Sequence, residues 1–129
     1  MIVVIDTNIL VNAIKSNNTY SKATILIEDI LSGKHLMCIS TDIMDEYEDV
    51  LHREQLKLDK SLVDWLLAWI RCNSIWIEPK PTTQSQVEMQ DEDDRPFFDV
   101  AKCMNARLIT RNYKDYPVHE LITLIDELY

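Results

Sequence analysis

The chain has 129 residues, which is enough for one domain with a hydrophobic core, and 47% of them are hydrophobic, which excludes a disordered protein. Its net charge of −9 argues against binding nucleic acid through a broadly basic surface. The single glycine, Gly33, excludes a glycine-rich phosphate loop, and no apolar run approaches the about 20 residues of a membrane span. We therefore expect one domain over residues 1–129 and no membrane partner.

The cysteines suggest a reducing compartment. Cys38, Cys72 and Cys103 are widely spaced and odd in number, so they match neither a zinc pattern nor a disulfide framework. We expect them to be buried thiols. The chain starts with a strand-like run and no basic flank, so we expect no signal peptide and a cytoplasmic location.

The first predicted element is a strand at residues 2–5, an unbroken β-branched run that suits burial on both faces. A helix is predicted at residues 7–14, with Thr7 and Asn8 offering capping groups at its start. The remaining predicted elements are a helix at 21–31 stopped by Gly33, a strand at 36–40, a helix capped by Thr41 or Asp42, a helix at 61–72, a strand at 75–77, a helix that begins near Pro96, strands at 106–110 and 121–124, and a last helical turn at 125–129.

The order of these elements predicts the fold class. Strands with buried character alternate with amphipathic helices, which is typical of a mainly parallel sheet in a three-layer α/β/α fold. We expect residues 2–5 to form its central strand. Trp65 and Trp69 lie four apart on a strongly apolar helix, so they predict either core packing or contact with a partner subunit.

Three carboxylates follow predicted strands or begin predicted helices. Asp6 follows the first strand, Glu46 lies one turn into the helix after the second, and Asp94 begins the helix before the fourth; Asp115 is a possible fourth acid. Ligands bind beyond the carboxyl ends of parallel strands. Clustered carboxylates repel one another unless a cation joins them, and hard oxygen ligands favour Mg²⁺ or Mn²⁺. Such a cation can activate water for phosphodiester hydrolysis.

Each acid also has a purely structural interpretation. Asp6 suits a turn or a helix cap, and Glu46 is followed by Glu48 and Asp49 on a helix whose acids are ordinarily solvated. The run of acids at residues 91–94 suits a solvated loop with a cap charge. Taken singly, the structural interpretation is at least as good as the functional one for each acid. Their joint placement favours the functional one.

Four segments of the chain, taken in order, resemble the successive motifs of PIN-domain proteins. They are Val-Val-Ile-Asp-Thr-Asn-Ile-Leu at residues 3–10, Ile-Ser-Thr-Asp-Ile-Met-Asp-Glu-Tyr-Glu-Asp-Val-Leu at 39–51, Asp-Glu-Asp-Asp-Arg-Pro-Phe-Phe-Asp-Val-Ala at 91–101 and Leu-Ile-Thr-Arg-Asn-Tyr-Lys-Asp-Tyr at 108–116. The similarity is greatest to the toxins of bacterial toxin–antitoxin pairs. It implies a ribonuclease dependent on Mg²⁺ or Mn²⁺ that cleaves single-stranded RNA, with frequent homodimers and an antitoxin partner.

The resemblance also assigns roles to residues. It implies that Asp6, Glu46 and Asp94 bind the metal, with Asp99 and Asp115 as further catalytic candidates. Asp99 is the weaker of these two, because it lies over a turn further into its helix. Four polar residues are expected to support the site, namely Thr7, Asn8, Thr110 and Asn112.

One position departs from the family pattern. Many relatives carry an acid where this chain has Asn112, and others have a later Asp, as at Asp115 here. Two alternatives therefore stay open beside the nuclease. One is a PIN-like interaction module without turnover, for which Asn112 is the only sequence feature. The other is an aspartyl-phosphate phosphatase, which normally needs a second Asp where this chain has Asn8.

Overall fold

A computed structural model describes residues 1–16, 20–117 and 119–129 of the chain. Within these ranges no helix has both the length and the apolar character needed to cross a membrane. Its helices and strands, in chain order, are β1 (Ile2–Ile5), α1 (Thr7–Lys15), α2 (Lys22–Leu31), β2 (Leu36–Ile39), α3 (Thr41–Leu51), α4 (Lys60–Asn73), β3 (Ile75–Trp76), α5 (Arg95–Met104), β4 (Arg107–Thr110), β5 (Ile122–Leu124) and α6 (Ile125–Leu128). Short 3₁₀ turns occur at Glu54–Leu56, Glu92–Asp94 and Tyr113–Asp115.

The strands form one sheet in the order β3-β2-β1-β4-β5, and every neighbouring pair is parallel. Successive side chains of a strand point to opposite faces, so a strand covered on both faces has no exposed position. Val3, Val4 and Ile5 are all fully buried, and β1 is the central strand. The predicted α/β class, the parallel sheet and the central position of residues 2–5 are therefore confirmed.

The predicted cap of the third helix is wrong by one residue. Ser40, not Thr41 or Asp42, is the N-cap of α3, and its hydroxyl accepts a hydrogen bond from the backbone N–H of Ile43 at 3.3 Å. Thr41 already lies in the helix, where its hydroxyl donates to Glu78 at 2.7 Å. Ser40 has the extended backbone that an N-cap requires, which the sequence alone does not reveal.

The prediction of buried cysteines holds for only one of the three. Cys38 is fully buried in β2, whereas Cys72 and Cys103 are exposed. The core side of α4 is formed by residues such as Leu66 and Ile70, and Cys72 lies on the other side of that helix. All three are free thiols.

The apolar helix α4 is only partly covered. Trp69 is half-buried and packs against the core, whereas Trp65 is 53% exposed and Leu62 is 43% exposed. Leu62, Trp65 and Trp69 are three and four positions apart, which places them along one side of the helix. An apolar stripe therefore faces outward from α4.

Candidate active site

The site is built around Asp6, which lies directly beyond the end of β1. Strands β1 and β4 are paired in parallel with Ile5 opposite Ile109, so their carboxyl ends meet. Thr110, the last residue of β4, donates its hydroxyl to Asp6 Oδ2 at 2.8 Å, and the Asp6 backbone N–H donates to the Ile109 carbonyl at 3.0 Å. Asp6 is 7% exposed and Thr110 is 1% exposed. The sheet therefore fixes both the backbone and the side chain of this acid.

Glu46 reaches the same region from α3. Thr7, the buried first residue of α1, donates its hydroxyl to Glu46 Oε2 at 2.5 Å. The next residue of α3, Tyr47, is fully buried and donates its hydroxyl to the Ile5 carbonyl at 2.6 Å. The turn of α3 that carries Glu46 is thus hydrogen-bonded to the end of β1, one residue before Asp6.

Asp94 is placed by the start of α5. It is the N-cap residue of that helix, with Pro96 in the first turn, and it is half-buried. The helix itself contacts β1, β2 and β4. Because α5 lies across the three inner strands, the carboxylate at its N-terminus comes close to the acids beyond their ends.

The pKa values show how strongly these acids interact. Burial, followed by the negative charges of Asp6, Asp91, Asp115 and Glu46, raises the pKa of Asp94 to about 7. Burial also raises the pKa of Asp6, and the charge of Asp115 adds to this. Burial and the charge of Asp6 raise the pKa of Glu46. No ion pair in the described part of the chain includes Asp6, Glu46, Asp94 or Asp115, so their charges are not compensated.

Asn112 and Asp115 contribute differently to the region beyond β4. The Asn112 side-chain oxygen accepts from the backbone N–H of Lys114 at 3.0 Å, and its own backbone N–H donates to the Thr110 hydroxyl at 3.2 Å. Asn112 therefore stabilises the turn at Tyr113–Asp115. Asp115 lies at the end of that turn, and its negative charge adds to the effect of burial in raising the pKa values of Asp6 and Asp94.

Asp99 is held elsewhere. It is buried, and its two carboxylate oxygens accept from the backbone N–H and the hydroxyl of Thr82, at 3.1 and 2.5 Å. Arg95 donates to the same Thr82 hydroxyl at 2.9 Å. Because an α-helix turns by about 100° per residue, Asp99 leaves α5 on a different side from Asp94. The structure joins Asp99 to the segment after β3 and not to the other acids.

The remaining predicted support, Asn8, is exposed in the first turn of α1. It lines a groove together with Val11, Asn12 and Arg111. Because Asn8 follows Asp6 by two residues and Arg111 follows Thr110, this groove begins beside the acids.

Tyr116 is a residue of this region that the sequence does not reveal. Its side chain is buried, and its hydroxyl has no hydrogen-bond partner among the described residues. Burial, followed by the charges of Asp6 and Asp94, raises the pKa of Tyr116, so the phenol stays protonated and keeps its O–H as a hydrogen-bond donor. Its position directly after Asp115 is the one signal that could have pointed to it.

The chemistry of the site fits a divalent cation, although the ligands are not arranged for one. In the ranges that the structure describes, no group of three His, Cys, Asp or Glu side chains is positioned to hold a metal ion. The donors that are present are carboxylate oxygens with uncompensated charge, which are the ligands that Mg²⁺ and Mn²⁺ prefer. A bound cation would relieve the repulsion that raises their pKa values.

The structure is thus a parallel α/β domain with a site of uncompensated carboxylates beyond its central strands. Comparison with known families identifies the class of protein more closely. A family model described as PIN domain matches residues 2–114. The chain therefore belongs to the PIN-domain family, whose members are generally nucleases and generally use divalent metal ions. No curated protein matches the sequence.

Proposed function

We propose that the protein is a metal-dependent ribonuclease that hydrolyses phosphodiester bonds of single-stranded RNA and acts as the toxin of a toxin–antitoxin pair. The observation that carries the proposal is the set of uncompensated carboxylates beyond β1 and β4 in a PIN domain. Membership of this family favours phosphodiester hydrolysis over an aspartyl-phosphate mechanism, and Asn8 occupies the position where a phosphatase needs its second Asp.

Asp6, Glu46 and Asp94 are the residues that we propose to hold Mg²⁺ or Mn²⁺, with Asp115 as a fourth acid. When bound, the cation supplies the positive charge that lets an acidic pocket accept a phosphate, and it activates water. Thr110 keeps Asp6 in one orientation through the 2.8 Å hydrogen bond.

The neighbouring polar residues position these acids. Thr7 orients Glu46 through its hydroxyl, and Asn112 holds the turn that ends at Asp115. The buried Tyr116 phenol, which stays protonated, is available to donate to one of the neighbouring carboxylates. Asp99 acts through Thr82 as a structural residue in this proposal.

The test is a defined single-stranded RNA incubated with purified protein under EDTA, Mg²⁺, Mn²⁺ and Ca²⁺. We expect cleavage with Mg²⁺ and Mn²⁺ only, because the larger and looser coordination shell of Ca²⁺ positions water poorly. Glu46→Gln should abolish cleavage, and Glu48→Gln, on the same helix, is the matched control that should not. Cleavage that persists in EDTA, or that Glu46→Gln leaves unchanged, would show that the chemistry lies elsewhere.

A second candidate is an interaction module that binds RNA or protein without turnover. Two observations favour it: the missing preformed metal group in the described residues, and Asn112 in place of a family acid. The same assay separates the two functions. RNA that is bound but never cleaved, at any metal concentration, supports the module and contradicts the ribonuclease.

We propose further that the chain forms a homodimer and binds an antitoxin. The support is the outward apolar stripe of α4, where Trp65 is 53% exposed and Leu62 is 43% exposed. Large exposed apolar patches mark interfaces, and two-fold dimers are the commonest oligomers. Light scattering should give a dimer mass for the wild type and a monomer mass for Trp65→Lys. A monomeric wild type at micromolar concentration would contradict the dimer, and co-purification with the product of a neighbouring gene tests the antitoxin.

We also propose that residues 1–129 form one domain, although the family match ends at residue 114. Beyond that point β5 pairs with β4, with Ile122 opposite Leu108, and Ile125 belongs to the same hydrophobic core as Val3. Urea denaturation should therefore give one cooperative transition, whether it is followed by tryptophan fluorescence or by circular dichroism.

A further inference from the structure

A groove beside the C-terminal half of α1 differs in charge from the rest of the molecule. It lies where the end of α1 meets the start of α2, the residue after β4 and the start of α6, and its volume is about 440 Å³. That volume lies within the range of ligand-binding clefts. Two of its residues, Asn12 and Arg111, also line the groove that begins at Asn8, so the two grooves are continuous.

The charges in this groove are mostly positive. Lys15, Lys22 and Arg111 line it with one acid, Asp126, whereas the chain as a whole carries −9. Lys22 forms an ion pair with Asp126 at 2.8 Å. Neither Lys15 nor Arg111 belongs to an ion pair in the part of the chain that the structure describes. The charge of Arg111 also helps to lower the pKa of Asp126. Three cations therefore share one acid, and the groove keeps a net positive charge for an anionic ligand.

The groove starts next to Asp6 and leads away from it along α1. Arg111 directly follows Thr110, whose hydroxyl bonds to Asp6, so its backbone lies at the edge of the site. Asn8 and Asn12 are one turn apart on α1, and Lys15 is almost one turn further. From Asn8 to Lys15 the helix rises by about 10 Å. The polar and basic side of α1 thus leads away from the acids over more than one nucleotide length.

We propose that this groove binds the phosphate backbone of single-stranded RNA on one side of the scissile bond, an inference that rests on the proposed ribonuclease function. Arg111 contacts the phosphate nearest the acids, and Lys15 contacts one further along the strand. Asn8 and Asn12 offer hydrogen bonds to sugar and phosphate oxygens between them. Phosphate contacts of this kind fix the register of a strand without reading its sequence.

The proposal explains how an acidic protein can hold an anionic polymer. The cation between the acids compensates charge at one phosphate only, and the flanking phosphates still need positive partners. Arg111 suits the position nearest the site because a guanidinium binds a phosphate with two parallel hydrogen bonds. The binding is therefore local to one groove and does not require a basic surface elsewhere.

The experiment measures binding of a short fluorescent single-stranded RNA to the protein in Ca²⁺, which should not support cleavage, over a range of salt concentrations. Arg111→Gln and Lys15→Gln should each weaken binding about 3–10-fold and reduce the slope of log K against log salt by about 0.7, the value for one phosphate contact in a single strand. In the otherwise wild-type enzyme the same changes should raise KM more than they lower kcat.

Matched controls come from the amino ends of the strands, at the other end of the sheet from the acids. Arg107 is at the other end of β4 from Arg111, where its side chain donates to the Glu120 carbonyl, and Lys34 precedes β2. Arg107→Gln and Lys34→Gln should change neither affinity nor salt slope. If a glutamine variant misfolds, Arg111→Lys and Lys15→Arg keep the charge and should keep the wild-type slope.

The outcomes separate the two proposals. If the wild type cleaves RNA but Arg111→Gln and Lys15→Gln bind as tightly as the controls, the groove does not bind the phosphate backbone and the nuclease assignment stands. If the wild type neither binds nor cleaves RNA with any metal, the ribonuclease proposal fails, and the proposal that the groove binds RNA fails with it.

Discussion

Asp94 and Asp99 lie five residues apart around the start of α5, yet the fold surrounds them in opposite ways. Asp99 accepts two hydrogen bonds from Thr82. Asp94 is half-buried, and this burial together with the negative charges of neighbouring acids raises its pKa to about 7. Both are acids of one motif, so residue type alone does not separate them. What separates them is whether the surroundings compensate the charge, and uncompensated charge is typical of functional sites.

The hydrogen-bonded surroundings of Asp99 also hold the start of α5 in place, where Asp94 lies. Arg95, the residue after Asp94, is buried and donates to Glu92, Gln84 and Thr82. These bonds attach the start of α5 to the segment that follows β3. A fully satisfied polar network of this kind restrains its members, and it holds Asp94 in surroundings that disfavour its charge.

The largest expected effect concerns activity. Asp94→Asn should lower metal-dependent RNA cleavage by about 10³-fold, because it removes a charged ligand from the proposed cation site. Asp99→Asn should leave most of the activity of the folded fraction, because Asp99 contacts Thr82 and not the acids. Single-turnover cleavage, normalised to the folded fraction, checks both variants. Equal losses would remove the distinction between the two aspartates.

The next effect concerns stability and should have the opposite order. Asp99→Ala should lower the free energy of unfolding by about 3 kcal/mol, because it removes two hydrogen bonds to a buried carboxyl group and leaves the backbone N–H and the hydroxyl of Thr82 without their acceptor. Glu92→Gln should cost much less, because Glu92 is an exposed partner of Arg95 and solvent screens its charge. Urea denaturation measures both, and a cost for Asp99→Ala no greater than that for Glu92→Gln would contradict the structural role.

A smaller effect is the pH dependence caused by Asp94. Its pKa of about 7 in the folded protein lies above the usual value of 3.8, so the folded state binds more protons than the unfolded state between these values. Stability of the metal-free protein should fall as pH rises from about 4 to about 7. Asp94→Asn should remove this loss, with no gain near pH 4 and a gain of about 1 kcal/mol at pH 8, a figure reduced for solvent screening of a half-buried group. Urea denaturation in EDTA at both pH values is the measurement, and an equal gain at both would refute the assignment.

The smallest effect concerns Tyr116. Tyr116→Phe removes a buried hydroxyl that has no partner in the described structure, so the metal-free protein should be unchanged or more stable by about 0.5–1 kcal/mol. Cleavage should fall by about 3–10-fold, because the phenol is proposed to donate to one of the carboxylates of the site. A loss of stability by more than about 1 kcal/mol would show that the hydroxyl has a partner in solution.

The sequence predicts those parts of the molecule that depend on local pattern. The β-branched run at Ile2–Ile5 and Pro96 in the first turn of α5 are visible without the structure, and so is the acid after each. The bond from Thr82 to Asp99 was not predictable, because the segment at residues 79–90 has no periodicity and its path depends on tertiary contacts. The orphaned hydroxyl of Tyr116 is likewise a consequence of packing alone.

The basic groove was hidden for a related reason. Lys15 and Arg111 are almost a hundred residues apart, and the strongly negative composition conceals them. Net charge averages over the whole surface, whereas a phosphate responds to the charges within about a Debye length, some 8–10 Å. Composition excluded a basic surface but had no bearing on a basic groove.

The hydrogen bond from Tyr47 to the Ile5 carbonyl has a consequence for hydrogen exchange. Tyr47 lies against Phe97 with ring centroids 6.1 Å apart, so one buried side chain links the first strand, the third helix and the fifth. The amide of Asp6, bonded to Ile109, belongs to that buried unit and should exchange with deuterium only when the whole protein unfolds. The amide of Asp115 belongs to an exposed turn bonded within itself, and it should exchange by local opening, orders of magnitude faster.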